Sequence, residues 1–175
     1  MKPLTDQLTQ YAAYHLDRRN VVTHMVGIPL IVVAVATLLS RPVFDAASLA
    51  LSPSVPVAVI GALFYLQLDA RFGVAMTLFL ALSVWAGRVL AAQSTVLWLG
   101  AGLGMFLAGW AIQFVGHYYE GRKPAFMDDL MGLAIGPLFI VAELAFLLGL
   151  RRDLRRAMEE GVRAFSVRLR ARKML

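Results

Sequence analysis

The chain has 175 residues, 59% of them hydrophobic and 16% charged, with a mean hydropathy of +0.69; a soluble domain has roughly 45–50% and about 25%, so a soluble protein is excluded and a single-domain integral membrane protein is expected. The net charge of +6 is concentrated, because nine of the 17 Lys and Arg follow residue 150, and attraction to an anionic membrane surface explains them without a nucleic-acid partner. The absence of cysteine excludes disulfides, thiolate metal sites, iron–sulfur clusters and cysteine nucleophiles.

In chain order, residues 3–16 read as a short amphipathic helix, because Leu4, Leu8, Tyr11 and His15 recur at helical spacing on one face. Asp17-Arg18-Arg19-Asn20 breaks that pattern, with Asn20 as the expected N-cap of the next helix. The amphipathic start carries no short apolar core and no small-residue cleavage site, so no removable signal peptide is expected. Apolar runs then predict spans at about 21–39, with Pro29 as a kink, and at 55–68, 72–92 and 95–118. In the fourth, Gly100, Gly104 and Ala108 have the small-xxx-small spacing of a close helix contact. A fifth apolar segment, 130–150, is interrupted by Gly136-Pro137 and carries Glu143. Residues 1–150 thus form the membrane domain. Residues 151–175 form a basic amphipathic helix, with Leu154, Met158, Val162, Phe165 and Leu169 on one face, suited to lie on an anionic leaflet. The fold class expected is all-α, a polytopic transmembrane bundle of four or five segments.

The basic residues orient these segments. With four crossings, fifteen of the seventeen lie on the N-terminal side and only Arg41 and Arg88 opposite. With five crossings the tail moves across and the asymmetry reverses. The positive-inside rule favours the even number, with both termini cytoplasmic; in a bacterial cell the membrane would be the inner one. Residues 130–150 then form a re-entrant or buried hairpin, a fifth span being the alternative. Either scheme brings the end of the fourth span to the membrane face where the first begins.

The three histidines of the chain lie at those two places: His15 and His24 near the start, His117 at the end of the fourth span. On one unbroken helix, nine positions would turn His15 and His24 about 180° apart. The break at residues 17–20 removes that restriction, and Asn20 and His24 share a face at i, i+4. Gln113, His117 and Glu120 form a polar stripe on an otherwise apolar helix. Polar groups at that depth are costly and line a cavity, pair with one another or bind a ligand. Three imidazoles and a carboxylate suit Fe(II), Zn(II) or Mn(II); two imidazoles and a carboxylate with open positions suit Fe(II) and dioxygen. Tyr11, Asn20 and Gln113 are placed to orient the rings. The competing account is a hydrogen-bonded histidine at a helix interface. Glu120 is a ligand, an acid–base group or an ion-pair partner of Arg122 or Lys123, and Glu143 is a packing partner or a further functional group.

His15-x4-Asn20-x3-His24-x2-Gly27-x-Pro29, followed by Gln113-x2-Gly116-His117-x2-Glu120-x3-Pro124-Ala125, resembles the membrane-bound 2-hydroxy fatty acid dioxygenases of fungal phytosphingosine breakdown, whose bacterial members form a domain of unknown function. The resemblance runs from about residue 5 to residue 150. It implies an Fe(II)-dependent α-oxidation in which dioxygen converts a 2-hydroxy fatty acid into the acid one carbon shorter. It also implies that His15, His24 and His117 are the iron-associated residues; Glu120 joins the candidate catalytic group through its place on the polar stripe with His117. A fourth histidine of relatives would be replaced here by Glu120, Gln113, Asn20, Glu143 or water. A 2-hydroxy acid can chelate Fe(II) through hydroxyl and carboxylate while its chain lies among the spans, the bilayer acting as reservoir. Arg18, Arg19, Arg122 and Lys123 are candidates to hold the carboxylate, or are ordinary positive-inside residues. The rival functions are a non-catalytic membrane bundle or lipid-binding protein, and a b-type haem protein using His24 and His117. No oligomeric state follows from the sequence.

Overall fold

The computed structural model describes residues 2–41, 43–46, 49–121, 124, 127 and 129–172, with the side chains of 44–46, 49–50 and 166–172 left aside. The elements are α1 (Leu4–Ala12), α2 (Arg18–Leu39), β1 (Phe44–Ala46), β2 (Leu49–Leu51), α3 (Ser54–Leu68), α4 (Ala70–Ala91), α5 (Thr95–Glu120), α6 (Met131–Leu147) and α7 (Arg152–Arg172). The protein is all-helical apart from the antiparallel hairpin β1–β2, in which Phe44 pairs with Leu51 and Ala46 with Leu49. Helices α2, α4 and α5, of 22, 22 and 26 residues, are long and apolar enough to cross a membrane, and α6 with α7 makes a bent fourth candidate. At 15 residues, α3 is about 22 Å long, short of the roughly 30 Å hydrocarbon core.

Contacts divide the chain into two compact units, Thr23–Gln113 and Met1–Val22 with Phe114–Leu175. Both boundaries fall inside continuous helices, α2 and α5.

In Thr23–Gln113, α3 and α4 pack as neighbours across the turn at Asp69. The Asp69 carboxylate caps α4 by accepting from the N–H groups of Arg71 and Phe72, both at 3.0 Å. Arg41 latches the α4–α5 turn: Nε donates to the Ala91 carbonyl at 2.8 Å, Nη1 to Thr95 Oγ1 at 2.9 Å, and the guanidinium lies 4.9 Å from the Trp98 ring. Trp98 Nε1 in turn donates to the Thr37 carbonyl at 2.8 Å. The outward faces are apolar, with Leu78, Leu82 and Trp85 on α4 at 61%, 63% and 66% exposure, a stripe at helical spacing that suits lipid contact.

The close approach of α5 to α2 differs from the expected one. A Cβ on Gly100 or Gly104 would meet nothing within 4 Å, and Ala108 is exposed. The contact runs through Gly109 and Gly102: a Cβ at Gly109 would lie 2.8 Å from the Gly27 carbonyl oxygen, and one at Gly27 would lie 2.8 Å from the Gly109 carbonyl oxygen. Gly102 and Gly109 are two turns apart on one face of α5, and it is this pair at a spacing of seven, not the small-xxx-small run, that lets α2 approach.

In the first and last segments, α1 packs on α6 and on α7. Leu4, Leu8, Tyr11 and Ala12 are buried on α1, and Ile135, Leu138, Phe139 and Phe146 on α6. Helix α6 continues through Pro137, so the expected break at Gly136-Pro137 is not where the chain turns. The reversal follows at residues 148–151, where Gly149 and Arg151 take φ of +73° and +53° and α7 leaves at 119° to α6. Glycine accepts that conformation without strain and ends the helix. The apolar stripe of α7, expected to face a leaflet, has a protein partner in α1: Met158 is buried, and a Cβ on Gly161 would lie 2.8 Å from Thr9 side-chain atoms.

Candidate metal centre

His15 lies beyond the end of α1, which stops at Ala12 and not at residue 16. The last carbonyls of a helix lack intrahelical donors, and the Tyr11 carbonyl finds two: the Tyr14 N–H at 3.0 Å and His15 Nδ1 at 2.8 Å. A carbonyl only accepts, so Nδ1 carries the proton and the lone pair of the neutral ring is on Nε2. The His15 ring stacks on the Tyr11 ring at 4.2 Å and 9°, and Phe139 of α6 closes a third side at 5.8 Å from His15 and 5.0 Å from Tyr11. Burial lowers the His15 pKa to about 4, the hydrogen bond to Tyr11 opposing that shift in part, so the imidazole is neutral at physiological pH. Phe139 had no signal in the sequence, being one apolar residue in an apolar helix.

His117 lies on the last turn of α5, buried, with its ring edge-on to His15 at 5.2 Å between centroids. Helix α5 ends just beyond it at Gly121, φ +66°, whose N–H donates to the His117 carbonyl at 3.0 Å. His24, also buried, follows Asn20 by one turn of α2. One nitrogen of each of His15, His24 and His117 lies within 4.8 Å of the others. Nitrogens sharing an ion at about 2.1 Å each lie no more than about 4.2 Å apart, a separation of the same order as this bound. Three buried imidazoles, one of them with its tautomer fixed by a carbonyl, are a donor set that fits a borderline divalent metal.

The N-cap of α2 is Asp17 and not Asn20: Asp17 Oδ1 accepts from the Arg19 N–H at 2.8 Å, and Asn20 is the third residue of the helix. The shorter reach suits Asp17, because a cap must precede the first turn. Its carboxylate also pairs with Arg19 at 2.8 Å, which holds the Asp17 pKa below the usual range. Arg19 lies over the Tyr119 ring at 4.4 Å and is therefore engaged, while Arg18 is exposed. Asn20 is fully buried and its amide donates to Glu120 Oε2 at 3.1 Å. Glu120 also accepts from the backbone N–H groups of Leu16, at 3.0 Å on Oε1, and Asp17, at 2.8 Å on Oε2. The Gln113 stem lies where a Cβ of Gly27 would meet it at 2.9 Å. Glu143 is not brought to the histidines; it lies within electrostatic reach of Arg155 and Glu159 on α7. Arg122 and Lys123 lie outside the described residues.

The family model for "2-hydroxy-palmitic acid dioxygenase Mpo1-like" proteins matches residues 1–148. The chain belongs to the Mpo1-like family. Among curated proteins it is 34% identical over 159 residues to the 2-hydroxy-palmitic acid dioxygenase MPO1 of Saccharomyces cerevisiae, covering 89% of this chain and 87% of the yeast protein. No solved structure matches it. The Mpo1-like region ends near the close of α6, so α7 lies outside it, as do the nine basic residues that follow position 150.

Proposed function

We propose that this Mpo1-like protein is an Fe(II)-dependent dioxygenase that shortens 2-hydroxy fatty acids by one carbon. Family membership supports the reaction class, and the yeast relative's name supports a 2-hydroxy acyl substrate. The observation that carries the iron reading is the cluster of His15, His24 and His117, with nitrogens within 4.8 Å of one another.

These three imidazoles would hold the ion. Fe(II) held there would supply a centre that the substrate's hydroxyl and carboxylate could chelate and at which dioxygen could be activated. Tyr11 supplies the carbonyl that presents His15 Nε2, and the Tyr11 and Phe139 rings exclude water from one side of that imidazole. Asn20, one turn before His24 on α2, and Gln113, one turn before His117 on α5, are the neutral polar groups on the histidine-bearing helices. Arg18, Arg19, Arg122 and Lys123 would attract the approaching carboxylate, Arg19 while also paired with Asp17 and lying over Tyr119. Balanced over one acid and one dioxygen, loss of C1 as carbon dioxide leaves the shortened acid and one water. The exposed apolar faces support a reading in which the acyl chain lies in the bilayer, which would supply the substrate, and the excess of basic residues at both ends of the chain supports cytoplasmic termini.

The test is metal analysis of purified protein, then anaerobic loading with Fe(II) and exposure to oxygen with 2-hydroxypalmitate. Pentadecanoate is expected. An iron-loaded sample that forms none removes the enzymatic reading. A chain that retains no metal and tolerates His→Ala changes is instead a non-catalytic membrane protein. Zinc in the isolated protein does not identify the working metal, since zinc outcompetes Fe(II) at nitrogen sites.

A further inference from the structure

Glu120 is the one carboxylate on the histidine-bearing turn of α5, and both of its oxygens are engaged by the chain that connects α1 to α2. Oε1 accepts from Leu16 N–H at 3.0 Å, and Oε2 from Asp17 N–H at 2.8 Å and Asn20 Nδ2 at 3.1 Å. Leu16 and Asp17 follow His15 directly, and Asn20 precedes His24 by one turn. A carboxylate has about four lone-pair positions, and three donors from this corner fill most of them.

We propose that Glu120 is a positioning residue, an anionic staple that fixes the 15–17 corner and the start of α2 and thereby aims His15. It rests on the metal reading above. A metal ligand needs an oxygen lone pair directed at the ion, and a proton carrier must exchange partners during turnover. The three donors instead hold the carboxylate in one place. They also suit an anion: two are backbone N–H groups at the positive end of the α2 dipole, and charge-assisted hydrogen bonds are roughly twice as strong as neutral ones. His15 lies outside both α1 and α2, so no helix hydrogen-bond ladder fixes the corner that follows it, and the Glu120 contacts to Leu16 and Asp17 act beside the ring contacts of His15 with Tyr11, Phe139 and His117.

Glu120→Gln is the sharp test. The amide keeps one acceptor oxygen but turns an NH2 group toward a backbone N–H, so at least one donor loses its partner. Full-length protein in detergent is compared with Glu120→Gln in three measurements. In the metal-free state, amide exchange at Leu16 and Asp17 should accelerate at least tenfold. Anaerobic Fe(II) affinity should weaken by about 10–100-fold, the usual cost of losing a group that orients a ligand. The visible spectrum of the Co(II)-loaded protein at saturation should keep its band positions, because the ligand set is the same. Should Glu120→Gln fail to fold, Asn20→Ala removes a single donor and should weaken Fe(II) affinity in the same direction. Unchanged exchange at Leu16 and Asp17 overturns the staple, as does accelerated exchange with wild-type iron affinity. A Co(II) spectrum altered at saturation makes Glu120 a ligand, and unaltered affinity with lost turnover makes it a proton carrier; either also overturns the proposal. If wild-type protein binds no metal, the enzymatic reading fails by itself, and the positioning role falls with it whatever exchange shows.

Discussion

His15 is folded back on Tyr11 by two contacts at once, a ring stack at 4.2 Å and an Nδ1 hydrogen bond of 2.8 Å to the Tyr11 carbonyl. The backbone contact survives any substitution at position 11, while the ring contact does not. Tyr11→Phe should therefore be close to neutral. Tyr11→Ala should lower stability by about 3–5 kcal/mol, the usual range for emptying an aromatic site in a core, and should loosen iron because His15 keeps its tautomer but loses its backing. Thermal unfolding in detergent and Fe(II) titration of the two variants check this. Equal melting temperatures would show that the stack carries no weight.

The same burial gives a pH dependence. The pKa of His15 is lowered from 6.5 to about 4 in the folded chain. Above pH 6.5 both folded and unfolded states hold the ring neutral, and its contribution is constant. As pH falls from 6.5 toward 4 the unfolded chain takes up a proton that the folded chain refuses, so stability declines, by about 3 kcal/mol in total at the low end. Metal-free wild-type protein should lose melting temperature between pH 7 and 5 more steeply than His15→Gln, which has nothing to titrate there. Parallel curves for the two proteins would remove the assignment.

Much of this centre is legible in the sequence because polarity is rare in a lipid-facing chain. His15, His24, His117 and Asn20 stand out by contrast, and all four are buried. Helix ends were legible for a similar reason: charge or a helix breaker interrupts apolar runs, and α4 and α5 begin within two residues of expectation. What contrast cannot show is which apolar residue touches which. Phe139 resembles its neighbours, and the glycine face used by α5 is chosen by where α2 lies. Two of the three partners of Glu120 are backbone N–H groups about a hundred residues away, which no side-chain pattern encodes. The stripe of α7 was legible as a stripe, but a leaflet and α1 make the same demand on it.

Removal of single ligands should separate binding from folding. His117→Ala should lower retained iron at least tenfold while the protein remains folded, because His117 is on the last turn of α5, where its loss leaves the interior of that helix unaltered. The measurement is the metal-to-protein ratio after desalting, beside circular dichroism and elution volume. Stoichiometric iron in a folded His117→Ala protein would place the ion elsewhere.

The crossing of Gly27 and Gly109 gives the most local prediction. Each added Cβ would lie 2.8 Å from the other helix's carbonyl oxygen, and at Gly109 also 2.7 Å from Ile31 Cγ1. A side-chain end can rotate away, but a helix carbonyl cannot move without its helix, so Gly109→Ala must separate α2 from α5. Overpacking of this kind costs about 1–3 kcal/mol. Gly100 is the control on the same helix, since a Cβ there meets nothing within 4 Å, and alanine improves intrinsic helix propensity by up to about 1 kcal/mol. Gly100→Ala should be neutral or slightly stabilising. Because His24 precedes Gly27 by three residues on α2, Gly109→Ala should also weaken iron binding several-fold, whereas Gly100→Ala should leave it unchanged. The reverse order of the two alanine variants in thermal stability would mean that α2 meets α5 on the Gly100–Gly104 face after all.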